Sequence, residues 1–432
     1  AALVRSTEGI PAEIGVRVRL RARTYRVNGH RLPLVTGAAL IVLVALVVSL
    51  VSVAGGASRH AKWELVSYVG TPAWQAEKGR NLHTASGLDC PTTSTCYAIV
   101  PGPIHGPTRI EYTHDGGTTW HESTLPANTT FTVETLGSDQ LSCFGNKNCS
   151  TMGHNRGGLV FVTTHNGGRS WTLYREPQAL YWNQPITAYA CATATTCVAL
   201  ADAGKDFPPQ DISPAQQKHY TDKDYSGVAF TTTTGWKRWS RHNVPGMFGA
   251  SSVACVAPAH CVALGDVVKS NGSNEQLVSS DGGATWTQVS GPKGNNSQYL
   301  VCSAADCMST QFIDPVFGSS TGLTVSTDYG RTWTRAAGRR FVSQAQNLAC
   351  ATGSDCWVSG TGLVYPAPGE ETTKFELVST SDQGQTWQEY TFALSTHILS
   401  VGPISCPTAS TCYAIAYKTG NAALPVLIRD NN

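Results

Sequence analysis

The stretch Ser279–Trp286, SSDGGATW, decides how this 432-residue chain is read. It sets an acid beside two glycines and ends on a tryptophan. An Asp in a short turn accepts hydrogen bonds from nearby backbone N–H groups. Glycines adopt positive φ without a Cβ clash. The tryptophan offers a large apolar surface for packing. The pattern recurs as THDGGTTW (113–120), THNGGRSW (164–171), STDYGRTW (326–333) and TSDQGQTW (380–387). Asp115, Asn166, Asp281, Asp328 and Asp382 hold the third position, and Trp120, Trp171, Trp286, Trp333 and Trp387 the last. A worn copy, TTTGWKRW (232–239), keeps Thr232 and Trp239 but lacks the acid and the second glycine. One carboxylate per loop is too few for calcium, which takes six to eight oxygens, so the motif is structural.

A second repeat runs beside the first. All 14 cysteines fall into close pairs: Cys90/Cys96, Cys143/Cys149, Cys191/Cys197, Cys255/Cys261, Cys302/Cys307, Cys350/Cys356 and Cys406/Cys412. This is not a usual zinc spacing, and no matched histidines accompany it, so no metal site is expected. Even parity in every unit predicts seven disulfides, which implies an oxidising compartment. Each closes a small loop, worth about 2 kcal/mol on the loop-entropy account.

Seven cysteine pairs meet six tryptophan motifs, and the chain ends account for the difference. The last segment, LPVLIRDNN, resembles the approach to a box such as EQLVSSDGG and is read with Asn431 at the motif's Asp and Asn432 at its first glycine. Near the other end, AKWELVSYVG puts Trp63 at the missing tryptophan. A ring whose N-terminal strand (about 62–68) pairs into the last blade needs this split, because closure removes exposed sheet edges. The alternative is a seventh motif cut off at residue 432.

Each unit reads as four strands. Strand A ends at the first cysteine, B starts at the second, C leads into the motif and D starts at its tryptophan. A period near 50 residues with short strands predicts an all-β, seven-bladed propeller over residues 56–432. The motif resembles the Asp-box (BNR) repeat of sialidases, sortilin-type receptors and the photosystem II assembly-factor group. The resemblance covers about residues 60 to 432. It implies the propeller fold but little about function, since enzymes and binders share the box.

Ahead of the repeats, residues 33–54 read PLVTGAALIVLVALVVSLVSVA, uncharged and long enough to cross a bilayer. Seven arginines against two glutamates give residues 1–31 a net charge of +5, so in a chain of net +2 the remainder carries −3. The positive-inside rule then predicts a cytoplasmic basic arm (1–32), a transmembrane helix (33–55) and an extracytoplasmic propeller, anchored in the cell membrane by a single pass. A cleaved signal peptide is the competing reading. Val16–Arg23 alternates arginine with apolar residues, which suits contact with anionic lipid or strand addition to a cytoplasmic partner. The near-neutral body argues against nucleic acid. The low-charge style looks bacterial.

Sialidases with these boxes carry an arginine triad, a Tyr/Glu nucleophile pair and an acid near the central channel, which the A strands line. Here the A strands contain no arginine, and Asp89 and Asp139 are their only acids. The expected function is therefore a non-enzymatic protein-binding or assembly module without a cofactor, such as an accessory subunit of a membrane or cell-surface complex. A glycan-binding or glycoside-hydrolase propeller is the alternative. Cysteine turns and boxes occupy one face of the ring. Long insertions, 202–226 and 364–374, fall among the B–C and D–A loops of the other. Tyr181, Trp182, Tyr220 and Tyr225 on that second face are the candidate anchors for a protein partner.

Overall fold

The computed structural model describes residues 62–70, 87–100, 109–127, 129, 141–155, 158–175, 186–201, 226–256, 259–267, 275–289, 295–312, 321–336, 344–367, 370–390, 392, 398–418 and 425–431. They form seven four-stranded antiparallel sheets, each an up-and-down blade. Six blades run in simple chain order. Blade one, for example, comprises Gly87–Asp89, Cys96–Val100, Arg109–Thr113 and His121–Glu122. Blades two to six begin at Ser142, Ile186, Met247, Asn295 and Gln344. Blade seven takes Ile398–Thr408, Thr411–Lys418 and Pro425–Asn431 from one end of the sequence, and Trp63–Tyr68 from the other. Trp63 pairs with Asp430, so the N-terminal strand is the fourth strand of the last blade.

The register corrects the sequence alignment by one residue. In blade four Cys261 lies opposite Ser279, the first position of the box. In blade seven Cys412 lies opposite Asp430. Asp430 is therefore at the first box position and Asn431 at the second, not at the Asp position. The reason is physical: Val426, Leu427 and Ile428 are all buried, so this strand has no in–out alternation to set its register in sequence. Trp63 does occupy the tryptophan position.

Disulfides join Cys90 to Cys96, Cys143 to Cys149, Cys191 to Cys197, Cys255 to Cys261, Cys302 to Cys307, Cys350 to Cys356 and Cys406 to Cys412, with Cα–Cα distances of 3.9 to 4.1 Å. These are the seven predicted pairs. The second cysteine does not always open the second strand, however. Cys96, Cys197 and Cys356 do so, whereas Cys149, Cys261, Cys307 and Cys412 each follow one residue after the strand has begun, at Asn148, His260, Asp306 and Thr411. A hydroxyl clasp marks the first form. Thr92, Thr193 and Thr352 accept through Oγ1 from the N–H just before the second cysteine, at 3.0 Å in each case, and so end the ladder at the disulfide. Among the described residues of the other turns this clasp is not found, even at Thr408 of blade seven, and pairing runs one rung further, as at Phe144 with Asn148, Ser303 with Asp306 and Thr408 with Thr411.

The second strands are the most deeply buried. All five residues of Cys96–Val100 and of Cys197–Ala201 are buried. Cys149, Cys307 and Cys356 are buried too, which shields their bonds from solvent. Outer strands are exposed, as at His121–Glu122. Apolar clusters straddle neighbouring blades. One joins Trp63, Val401 and Ala414 of blade seven to Trp357 and Leu377 of blade six. Another joins Ala188 and Leu200 of blade three to Met247 and Ala263 of blade four. Each blade thus buries both faces against its neighbours, which is how a propeller builds its core. Among the described residues no helix is long and apolar enough to cross a membrane. The basic arm and the apolar run 33–55 lie outside them.

Candidate functional site

Each box is a closed hydrogen-bond circuit. In blade four the Ser279 hydroxyl donates to Asp281 Oδ1 (2.8 Å) and accepts from Gly283 N (2.8 Å). Asp281 Oδ1 accepts from Thr285 N (2.9 Å), and Oδ2 from Thr285 Oγ1 (2.6 Å). Both carboxylate oxygens thus have donors within the turn. Desolvation opposes ionisation, but the bonds from Thr285 and Ser279 outweigh it and hold the Asp281 carboxyl below its ordinary range. Asp115, Asp328 and Asp382 are lowered in the same way, each through its own threonine: Thr119, Thr332 and Thr386. Asn166 fills this place in blade two, accepting from Ser170 N (3.1 Å) and donating to Ser170 Oγ (2.8 Å).

The fourth box residue ties the box to the cysteine turn. Gly116 N donates to Ser94 O, Gly167 N to Lys147 O, Gly235 N to Thr195 O and Gly282 N to Ala259 O, at 2.8 to 3.0 Å. Tyr329 N and Gln383 N repeat the bond to Ala305 O and Ser354 O. In every case the acceptor lies two residues before the second cysteine, as Lys147 does before Cys149, Ala305 before Cys307 and Ser354 before Cys356. Boxes and disulfide turns therefore share one face. The fifth box residue has positive φ and touches the preceding blade. At Gly283 (φ 90°) an added Cβ would lie 2.7 Å from Val198 Cγ2, and at Gly330 (φ 77°) 2.7 Å from Val262 Cγ2. Glycine is needed there on both counts.

Blade three departs from this scheme and corrects the reading of its tryptophan. Trp239, at the usual position, is 37% exposed and meets Phe230 of its own blade edge-on. Trp236 at the fifth position, with φ 69°, is 2% exposed and stacks on Phe161 of blade two at 3.7 Å between centroids. The residue after the second cysteine of blade two is Ser150, where blade one has Tyr97 and blade three Val198. A small residue there leaves room for the displaced indole. Thr234 replaces the acid, accepting from Arg238 N at 2.9 Å.

The first strands touch their neighbours round the ring at β-strand pairs such as Ile186–Cys191 with Met247–Val256 and Gly87–Asp89 with Ile398–Thr408. Asp89 carries the one carboxyl among their described residues, and no Lys, Arg or His accompanies it. Its Oδ2 accepts from Cys143 N of blade two (2.8 Å), while Ser405 Oγ of blade seven lies 3.5 Å from Oδ1 and accepts from Cys90 N (2.8 Å). Desolvation pushes the Asp89 carboxyl up to about 7 against the pull of these bonds. It joins three blades. Asp139 lies outside the described residues, as do the candidate anchors Tyr181, Trp182, Tyr220 and Tyr225. Among the described residues no group of three or more His, Cys, Asp or Glu is placed to hold a metal.

Two clefts open on the box face, which the motifs alone present as a rigid clamp. One, of about 440 Å³, lies between the boxes of blades one and two and includes His114, Lys147, His165 and Arg169 in its lining. The other, of about 260 Å³, lies between blades four and five beside His260, Tyr329 and Arg331. The His260 ring stacks on Tyr329 at 4.0 Å.

Comparison with known proteins agrees with this architecture. The BNR/Asp-box repeat model matches residues 111–122. No curated protein matches the chain in sequence. Among solved structures, YCF48 bound to D1 peptide is similar with TM-score 0.52 and 15% identity, over 87% of this chain and 97% of that one. YCF48 from Cyanidioschyzon merolae follows at 0.49 and 12%, over 86% and 98%. The Hadza microbial sialidase Hz136 gives 0.44 and 11%, over 76% and 73%. At such identities the likeness concerns the fold alone, a seven-bladed β-propeller, and the repeat model matches its first box.

Proposed function

We propose that this propeller is a membrane-anchored, extracytoplasmic module that binds a protein partner and is not an enzyme. One observation carries the reading. Among the described first-strand residues the sole carboxylate is Asp89, and it is engaged with the backbone and a hydroxyl of two adjacent blades. Most glycoside hydrolases place two carboxyl groups across the scissile bond, and even those with a tyrosine nucleophile use acidic groups free to act on it. Seven disulfides and the closed boxes make a rigid platform, and binding loops belong on rigid platforms. That YCF48, a propeller of similar form, is bound to D1 peptide supports peptide or protein as the ligand class. The basic arm, the apolar run 33–55 and the disulfides support an extracytoplasmic propeller tethered by one span.

The partner-binding face on this reading is that of the B–C and D–A loops, with residues 202–226 and the anchors Tyr181, Trp182, Tyr220 and Tyr225. Native purification from membranes tests it. A partner that copurifies at fixed ratio, and is lost on deletion of 205–224, is the expected result. Capture unchanged by the deletion rejects this face. Hydrolysis of sialosides or glucans by the same sample rejects the non-enzymatic reading.

A further inference from the structure

The cleft between blades one and two sets a cation of the cysteine turn beside a cation of the box. Lys147 is in the cysteine turn of blade two, and Arg169 is the sixth residue of the box beside it. The corresponding turn residues elsewhere are Ser94, Thr195, Ala259, Ala305, Ser354 and Ser410, none of them charged. His114 and His165 both occupy the second box position, where blades three to six have Thr233, Ser280, Thr327 and Ser381. No Asp or Glu lines the cleft. Blade two is also where Asn166 stands in place of the box acid, so the negative charge nearest Lys147 and Arg169 in an ordinary box is missing. Among the described residues neither Lys147 nor Arg169 is in an ion pair.

The histidines are held in place. His114 Nε2 lies 3.0 Å from Gly167 O, which can only accept, so Nε2 carries the proton. Its Nδ1 lies 3.2 Å from Thr95 Oγ1. His114 thereby spans the two blades. His165 Nδ1 lies 2.9 Å from Asn148 Oδ1, which makes it the donor and leaves Nε2 as the nitrogen without a partner among the described residues. Two unpaired cations facing a polar, acid-free cleft repel one another and lack compensation. An oxyanion supplies it, with charge-assisted bonds to a guanidinium and an ammonium.

We propose that the cleft between the boxes of blades one and two, about 440 Å³ in all, binds an oxyanion group, phosphate or carboxylate, through Lys147 and Arg169, with the rest of the ligand in the space beside them. The site is independent of the loop face assigned above.

Calorimetric titration of the full chain tests the site with three probes: inorganic phosphate, a short peptide with a free C-terminal carboxylate, and the same peptide amidated. Saturable binding of phosphate, or of the free-acid peptide but not its amide, is expected with Kd at or below about 1 mM. The former marks a phosphate ligand and the latter a peptide end. The Lys147→Ser/Arg169→Ala variant, built from the residues of other blades, should weaken binding at least tenfold, and Arg331→Gln in the second cleft should leave it unchanged. Both variants alter exposed side chains, and an unchanged unfolding midpoint verifies their fold. No binding by any probe overturns the proposal, as does equal binding by the double variant or equal binding of the acid and amide peptides in the absence of phosphate binding.

Discussion

In blade four the turn is held by an acid. Asp281 accepts from Thr285 N at 2.9 Å, Gly283 lies flat against Val198, and the indole of Trp286 donates to Gly283 O at 2.9 Å. Blade three keeps the path of the chain and changes the parts. Thr234 Oγ1 serves Arg238 N at 2.9 Å, Trp236 takes the left-handed fifth position, and Trp239 is left partly exposed. The wedge between blades has moved three residues along the turn. Blade two makes this workable by offering Ser150 and Phe161 instead of a bulky side chain after its second cysteine. A box is thus two separable devices: a polar clasp within the blade, and an apolar contact with the preceding one.

The strongest way to break this comparison is to remove each tryptophan of blade three. Trp236→Ala should cost about 3–5 kcal/mol, the usual range for a buried aromatic. Trp239→Ala should cost about 1 kcal/mol or less, since its ring is already partly in water. Urea unfolding midpoints read both. If Trp239→Ala proves the costlier change, the inter-blade wedge has been assigned to the wrong residue.

Next in size is the fifth position of blade four. Gly283→Ala adds a Cβ 2.7 Å from Val198 Cγ2 at φ 90°, and should cost about 2–4 kcal/mol from backbone strain and overpacking together. Val198→Ala opens the space that Ser150 opens in blade two. In the double variant the two costs should fall short of their sum by about 1 kcal/mol. Strict additivity would mean that backbone conformation alone demands glycine.

What is legible in the sequence, and what is not, divides along the same line as the box. The polar clasp is local: Ser279, Asp281 and Thr285 lie within seven residues, so spacing alone reveals it. The disulfides are local too, each closing a single turn, and Cys149, Cys307 and Cys356 find the partners their spacing predicts. Blade number follows from counting both motifs, and Trp63 stands out because a regular count comes up one short. The exchange of Trp239 for Trp236 depends on Ser150 and Phe161 in another blade, and no spacing within the motif reports it. Blade seven shows a second limit. Asp430, at the first box position, accepts from Lys62 N at 3.0 Å, the residue before the tryptophan. The acid does the usual work from two positions earlier, which a reading with Asn431 at the Asp position conceals. The cleft between blades one and two is hidden for the same reason, since Lys147 and Arg169 meet His114 only once the blades stand side by side.

The clasp itself is worth less than the wedge. Asp281→Ala should cost about 1–2 kcal/mol, in the range of a lost helix cap, because it leaves Thr285 N to water. Thr234→Ala should cost about 1 kcal/mol or less, one neutral acceptor being lost in place of a charged one. An equal cost for the two would remove the distinction between a charged and a neutral clasp.

The finest difference between the two blades is their response to acid. A carboxyl whose pKa is lower in the folded chain binds fewer protons there than when unfolded. Its contribution is complete above the unfolded value of about 3.9 and is lost as pH falls through the folded one. Asp281 belongs to this class, as do Asp115, Asp328 and Asp382. Blade three, with Thr234, contributes no such slope. Asp281→Asn should therefore flatten the loss of stability below about pH 4, and Thr234→Asp should steepen it, each by under about 1 kcal/mol because these turns are solvent-exposed. Asp89 works in the opposite sense and in another window. With its carboxyl raised to about 7, the folded chain holds an extra proton between about pH 4 and 7, so this group's contribution falls as pH rises across that range. Asp89→Asn should remove the decline on the neutral side and leave the acid limb untouched. Unfolding midpoints measured from pH 3 to 8 separate the two, and an acid limb that Asp281→Asn leaves unaltered would show that the box bonds do not favour the ionised carboxylate.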